Sequence, residues 1–480
     1  MAKFFVTAAI PYVNDKPHIG TVLDFVLADV LARYHRQQGD SVLFSTGTDE
    51  HGGKILETAQ AAGQQPERFV DQMSANFQEL CKILNIQYDK FIRTTEPAHV
   101  RAAQSTWQAI AGDIYKGAYK GWYCTGCERF FTAQEVKANK GVCPDHKRRY
   151  EEIEEENYFF KLSKYNNSIK QAIEKNELRL VPESRRREIL ALLKKGLEDI
   201  SVSRPKEKIP WGIEVPNDPN HVMYVWVEAL VNYLTVTGYP QADFRQWWPA
   251  DVHVIGKDIV RFHAAIWPAM LLAANLALPK AIYAHGFITV EGKKIGKSLG
   301  NAIDPAEAVR RYGIDALRFY LLHEISSDSD GDFTWERLAA VYDGDLANEL
   351  GNLVQRVAVM VKQYQKGVVG KITKPSHDIK PYKDAIASFR FDKALDEVWN
   401  LIRGLNQYVD EEKPWEVAKK EPDHLGEVLG YLVSNLLQVA RLLAPFLPET
   451  AARIEATFAG GTVHPEVGIL FPKLAQKPVN

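Results

Sequence analysis

Short apolar runs alternate with amphipathic stretches from the start of the chain. Residues 4–10, FFVTAAI, are rich in β-formers, and the PYVNDKP that follows holds two prolines and an Asn-Asp pair, so a strand passing into a loop is expected. Leu23, Val26, Leu27, Val30, Leu31 and Tyr34 then recur at i, i+3, i+4, i+7, i+8 and i+11, the apolar stripe of one helix that Gly39 can end. SVLFSTGT (41–48) reads as a second strand, with Asp49 just past it. Strand, helix and strand with short returns make a βαβ unit, whose ligands sit at the C-terminal ends of the strands. That side carries His18 and Asp49.

The pattern changes at Gly117, where a cysteine cluster, the acidic run YEEIEEEN and basic residues from Arg185 to Lys208 follow one another. Strand-and-helix alternation resumes with MYVWVEAL, DVHVIGKD, a buried apolar helix from Ala264 to Leu278, and AIYAHGFITV. Beyond about Asp345 the spacing is helical, with stripes such as Leu346, Leu350, Leu353, Val357 and Val361, or Leu432, Leu436, Val439 and Leu443. The expected class is α/β: a doubly wound, Rossmann-like parallel sheet split by an insertion and followed by an α-helical bundle. The boundaries read as 1–116 and 213–290 for the two halves of the sheet domain, 117–212 for the insertion, 291–345 for a linking region and 346–480 for the bundle.

Composition narrows the classes of function. The chain has 480 residues, 46% hydrophobic and 25% charged, as in ordinary globular protein. Four cysteines rule out a disulfide framework, and a net charge of −2 argues against a global positive field holding nucleic acid. One local exception is the stretch from Leu346 to Lys383, with seven Lys or Arg against two Asp or Glu. The longest apolar run is too short to span a bilayer, and the N-terminal run ends at Pro11 like a core strand rather than a signal peptide, so a cytoplasmic protein without membrane contact is expected.

Four motifs carry chemistry. His18-Ile19-Gly20-Thr21, read as the start of the first helix, offers free backbone N–H groups and a glycine that lets a flat ring approach, which suits a nucleotide. Lys294-Ile295-Gly296-Lys297-Ser298 puts two lysines in a glycine-bearing loop, suited to phosphates whose charge grows during transfer, ahead of Asp304-Pro305 as an N-cap and first helical residue. Cys124-x-x-Cys127 and Cys143-x-x-His146, with fifteen residues between the pairs, give three thiolates and one imidazole, the set of a tetrahedral structural zinc knuckle. With four protein ligands no position is left for water, so one structural Zn²⁺ per chain is expected and not a catalytic one. Trp226, Ala229 and Tyr233, at i, i+3 and i+7, share one face if helical.

The order and context of the first two motifs resemble those of class I aminoacyl-tRNA synthetases. FVTAAIPYVNDKPHIG, TGTDEHG, YVWVEAL, IGKDIVRFH and KPWEVAK together resemble the methionyl-tRNA synthetase family over essentially the whole chain. In two places the chain departs from the family's pattern. Thr21 stands where a second histidine is usual, keeping a hydroxyl without an imidazole, and Ile295-Gly296 replaces Met-Ser, which should loosen the loop. The insertion leaves no room for the large editing domain that the leucine, isoleucine and valine enzymes need to reject near-isosteres.

The resemblance implies ATP-dependent ligation of L-methionine to tRNA(Met) through methionyl-adenylate, with Mg²⁺ accompanying ATP. It implies His18, Gly20, Thr21, Lys294 and Lys297 as catalytic and ATP-binding residues. The methionine pocket it implies comprises Ala9, Ile10, Tyr12, Asp49, Trp226, Ala229, Leu230, Tyr233, Ile259 and His263, with Lys257 and Asp258 facing the same crevice. Asn352, Arg356 and Trp415 match anticodon-reading positions, and a monomer is expected because the chain ends soon after the bundle. Two rivals stay open on the residues alone: a non-catalytic tRNA-binding paralogue, and a nucleotidyltransferase activating another small carboxylic acid.

Overall fold

The computed structural model describes residues 2–124, 129–131, 133–144, 147–295, 300–369, 375, 377–464 and 469–473. They fall into two compact units. Residues 1–17, 40–81 and 87–285 form the first, and residues 18–39, 82–86 and 286–480 the second.

The first unit is organised by a six-stranded parallel sheet. In spatial order its strands are Lys90–Arg93, Ser41–Thr48, Lys3–Ala8, Val252–Gly256, Ala281–His285 and Arg179–Val181. The central strands read as nearly continuous apolar runs because both of their faces are buried. The register is fixed by pairs such as Thr7 with His253 and Phe5 with Leu43. Asp251 secures the first strand further by accepting from the Phe5 amide at 2.7 Å. Gly47 is required where Ser41–Thr48 and Lys90–Arg93 approach, since a Cβ there would lie 1.9 Å from the Ile92 carbonyl oxygen. Strand order reverses between Lys3–Ala8 and Val252–Gly256, and that switch point is where an open parallel sheet takes its ligand.

The edge strand Arg179–Val181 lies within the stretch read from sequence as insertion, yet pairs in parallel with Ala281–Tyr283. Three residues are too few to display a period, so only the long-range pairing reveals the strand. The acidic run is also extended: Glu151–Phe160 pairs antiparallel with Ile114–Cys124, and Arg129–Phe131 lies on the other side of that strand. Cys124, Phe131, Cys143 and Tyr150 are buried together in a small core of their own.

In the second unit the helix Val22–Gln37 follows the expected stripe and stops before Gly39, whose φ is +86°. Asp304 caps the helix Pro305–Tyr312 as expected, its carboxylate accepting from the Ala306 amide. The helices Asn352–Gln365, Phe391–Glu412, Pro414–Lys420, Pro422–Leu443 and Pro448–Thr457 form the bundle around Leu395, Trp399, Leu432 and Leu436. A fully buried Arg318 pairs with Asp29 at 2.8 Å and donates to the carbonyls of Pro445 and Phe446. Asp29 also pairs with Arg33. Among the described residues no helix is long and apolar enough to cross a membrane.

Candidate active site

A cleft of about 370 Å³ opens at the switch point of the sheet. Ala9 and Ile10 reach it from the end of the first strand, Asp49 from the end of the second, and Ile259 and His263 from beyond Val252–Gly256. Trp226, Ala229, Leu230 and Tyr233 come from a helical run between Val225 and Thr235. The cleft thus gathers every residue expected of the amino-acid pocket except Tyr12, whose ring packs on Trp226 at 5.2 Å between centroids. Asn232 and Phe262 also line it and were not anticipated, although Asn232 follows Ala229 at i+3 on the same helical run. Asp258 is exposed, and neither it nor Lys257 is among the lining residues.

The polar groups of the cleft have defined roles. Asp49 is 1% exposed, and its segment is held to the loop before it by Asp49 N–H donating to the Pro11 carbonyl and Val13 N–H to the Asp49 carbonyl. At the other end the Nδ1 of His263 lies 3.0 Å from the Ile259 carbonyl, so it carries the proton and donates. The Nε2 of a neutral His263 then accepts from the Tyr233 hydroxyl at 2.7 Å. Beneath this pair His253 is fully buried, receives the Trp267 indole N–H on Nε2, and donates from Nδ1 to the Thr7 hydroxyl. Burial, and then the neighbouring His263, holds the His253 imidazole well below its ordinary pKa and hence neutral. The cleft therefore has a carboxylate at one end and an aromatic floor at the other.

The segment following the second strand is anchored more heavily than its sequence suggests. Glu50 accepts a bidentate fork from Arg93 at 2.8 and 3.0 Å as well as the hydroxyls of Thr48 and Thr95. Arg93 also pairs with Asp71. The indole of Trp211 donates to the Glu50 carbonyl at 2.6 Å.

The nucleotide-type signatures lie in the second unit. His18 is not on the helix but in a turn before it, because the helix begins at Val22. The Thr21 hydroxyl closes that turn, accepting from the His18 amide at 3.0 Å and donating to the His18 carbonyl at 2.7 Å. Its single proton is thus committed to the turn. Gly20 N–H donates to His18 Nδ1 at 3.1 Å, which puts the proton of a neutral ring on Nε2. A Cβ on Gly20 would come 3.1 Å from that ring and 3.3 Å from Ile295, so a side chain there would require its neighbours to give by a few tenths of an ångström.

Both flanks of the lysine loop meet this turn. Ile295 packs at Gly20, and Ile19 N–H donates to the Ile303 carbonyl at 3.0 Å. Lys294 is exposed at the end of a short strand, while Lys297 lies outside the described residues.

Cys124 and Cys143 are both fully buried in a small core of the insertion, with Cys143 in a turn closed by Lys147 N–H donating to its carbonyl. Cys127 and His146 lie outside the described residues. In the bundle, Asn352 and Arg356 share one helix; Asn352 is exposed, and Arg356 is half-buried and pairs with Asp410. The helix Pro414–Lys420 packs against theirs and carries Trp415, 38% exposed.

A family model described as tRNA synthetases class I (M) matches residues 4–154 and 147–358, and one described as the anticodon binding domain of methionyl tRNA ligase matches residues 364–465. Sheet, signatures and family model together define a class I aminoacyl-tRNA synthetase. The chain is 44% identical over 470 residues to a methionine-tRNA ligase of Thermotoga maritima, covering 94% of this chain and 74% of that one. A methionine-tRNA ligase of Brucella suis is 38% identical over 509 residues, covering 99% and 98%. A crystal structure of Mycobacterium tuberculosis methionyl-tRNA synthetase bound by methionyl-adenylate superposes with a TM-score of 0.91 at 35% identity, covering 98% of this chain and 100% of that one. The chain belongs to the methionyl-tRNA synthetase family.

Proposed function

We propose the following residue roles for this chain, which as a member of that family ligates methionine to tRNA at the expense of ATP. The methionine carboxylate attacks the α-phosphate of ATP, forming the P–O bond of methionyl-adenylate as pyrophosphate leaves. The 2′-hydroxyl of the terminal adenosine of tRNA then attacks the adenylate carbonyl and releases AMP. No protein nucleophile is needed, so catalysis rests on positioning and charge neutralisation.

The observation that carries the reading is the polarity of the cleft. The Asp49 carboxylate meets the α-ammonium of the amino acid. The proton of Tyr233 is used on His263, and that of His263 on Ile259, so this pair presents no leftover donor that would reward a polar side chain. An unbranched, polarisable thioether suits such a floor. His18 donates from Nε2 to a phosphate oxygen, Lys294 and Lys297 neutralise the phosphates, and Mg²⁺ accompanies the nucleotide. Asp49→Asn tests the assignment: removing a charge-assisted contact worth about 1.5–3 kcal/mol should weaken methionine binding roughly 10- to 150-fold by calorimetry. Unchanged affinity would remove Asp49 from the site.

A structural zinc completes the insertion. The chemistry of three thiolates and an imidazole fits the ion, and the shared burial of Cys124 and Cys143 supports Cys124, Cys127, Cys143 and His146 as its holders. The metal would stabilise the module and takes no part in the reaction.

Asn352, Arg356 and Trp415 read the anticodon, the first two through base-edge hydrogen bonds and Trp415 by stacking. The exposure of Asn352 and Trp415 supports this. Trp415→Ala is expected to cost about 1–3 kcal/mol, or some five- to 150-fold, in kcat/KM for tRNA while leaving tRNA-independent pyrophosphate exchange intact. A large fall in melting temperature with unchanged discrimination between cognate and non-cognate tRNA would make Trp415 a packing residue instead.

A further inference from the structure

Three segments distant in sequence converge on one buried carboxylate. Glu228 is 1% exposed. Its Oε1 lies 2.8 Å from Nδ1 of His51, and its Oε2 lies 2.8 Å from Nε2 of His99. A carboxylate has no proton to give, so both of those nitrogens carry theirs and donate. Burial pushes the Glu228 carboxyl upward, but His51 and then His99 outweigh it and hold the group below its ordinary pKa, as the carboxylate. On its far side His99 meets the Thr235 hydroxyl through Nδ1 at 3.1 Å.

The connections of this cluster separate it from ordinary core polarity. His51 stands two residues beyond Asp49, in the segment that Glu50 fastens through Arg93. Glu228 stands between Trp226 and Ala229, and both neighbours line the cleft. The hydrogen bond from His51 to Glu228 therefore ties the segment that carries the cleft's carboxylate to the helical run that carries its aromatic wall. Stability is a weak explanation for it, because burying a carboxylate with two imidazoles costs desolvation that well-packed apolar side chains would avoid. What such a cluster supplies is a fixed, directional separation.

We propose that Glu228 is a positioning residue for the amino-acid half of the reaction, setting the distance between the Asp49 segment and the Trp226–Tyr233 run through His51, without touching substrate. The inference rests on the methionine reading of the cleft. It predicts that the Glu228 contacts govern affinity for the amino acid and not for ATP.

The test is pyrophosphate exchange by the full chain, with active sites counted by the adenylate burst and melting temperature measured in parallel. Glu228→Gln should raise KM for methionine at least tenfold and leave KM for ATP within about twofold. Should Glu228→Gln fail to fold, the substitutions at His51 decide alone. His51→Ala should reproduce the methionine defect. His51→Asn, whose amide nitrogen stands where Nδ1 stands, should recover most of it. Equal shifts in both KM values, an unchanged KM for methionine, or Asn no better than Ala would overturn the proposal. A wild-type chain without methionine-dependent exchange would instead overturn the reading beneath it, and the proposal with it.

Discussion

Lys297→Ala is expected to slow methionyl-adenylate formation by roughly 10²–10³-fold in single turnovers, the loss typical when one preorganised electrostatic donor is removed. Negative charge on the departing pyrophosphate grows only as the α-phosphate is attacked, so the lysine should matter in the transition state and little in the ground state. Methionine affinity should therefore stay nearly constant. The contacts of Ile295 at Gly20 and of Ile303 with Ile19 support a shared role for the lysine loop and the His18 turn, since both flanks of the loop rest on that turn. A methionine-binding defect with a normal single-turnover rate would contradict the assignment.

Removal of zinc is expected to unfold the knuckle. Its own core comprises Cys124, Phe131, Cys143 and Tyr150, and two of those four side chains are themselves the expected ligands. A module this small buries too little apolar surface to stay folded alone. Structural zinc supplies on the order of 10–16 kcal/mol in isolated finger peptides, so metal binding there amounts to folding. The purified chain should hold one equivalent of zinc. Chelation or Cys124→Ser should release it and expose the amides between 124 and 150 to hydrogen exchange, while the parallel sheet keeps its protection. Absence of stoichiometric metal, or unchanged content in Cys124→Ser, would remove zinc from the account.

What could be read from sequence was local. Unbroken apolar runs gave away the central strands, the Leu23–Tyr34 stripe gave the helix Val22–Gln37, and Asp304-Pro305 gave a helix start, because each signal lies within the element it specifies. The cleft residues were assembled by resemblance and not from periodicity. Asn232 and Phe262 were missed for that reason. Convergence across the chain was not legible at all. Glu228 meets His51 and His99 across separations of 177 and 129 residues, and in TDEHG and WVEAL these look like ordinary polar positions. Arg318, buried against Asp29 and three backbone carbonyls, likewise resembles any surface arginine on a helix. The His18 turn was read as helical because its Thr21 lock acts through a side chain, which residue pattern alone does not reveal.

The central claim, that the cleft selects methionine for activation by ATP, is tested most directly by pyrophosphate exchange across a panel of amino acids in the absence of tRNA. The account predicts exchange that depends on methionine and is far weaker with leucine, isoleucine, valine or glutamate. Exchange driven by a different carboxylic acid would make the chain a different activating enzyme. No exchange with any member of the panel would mean that the signatures are retained without catalysis, and would contradict the account at its base.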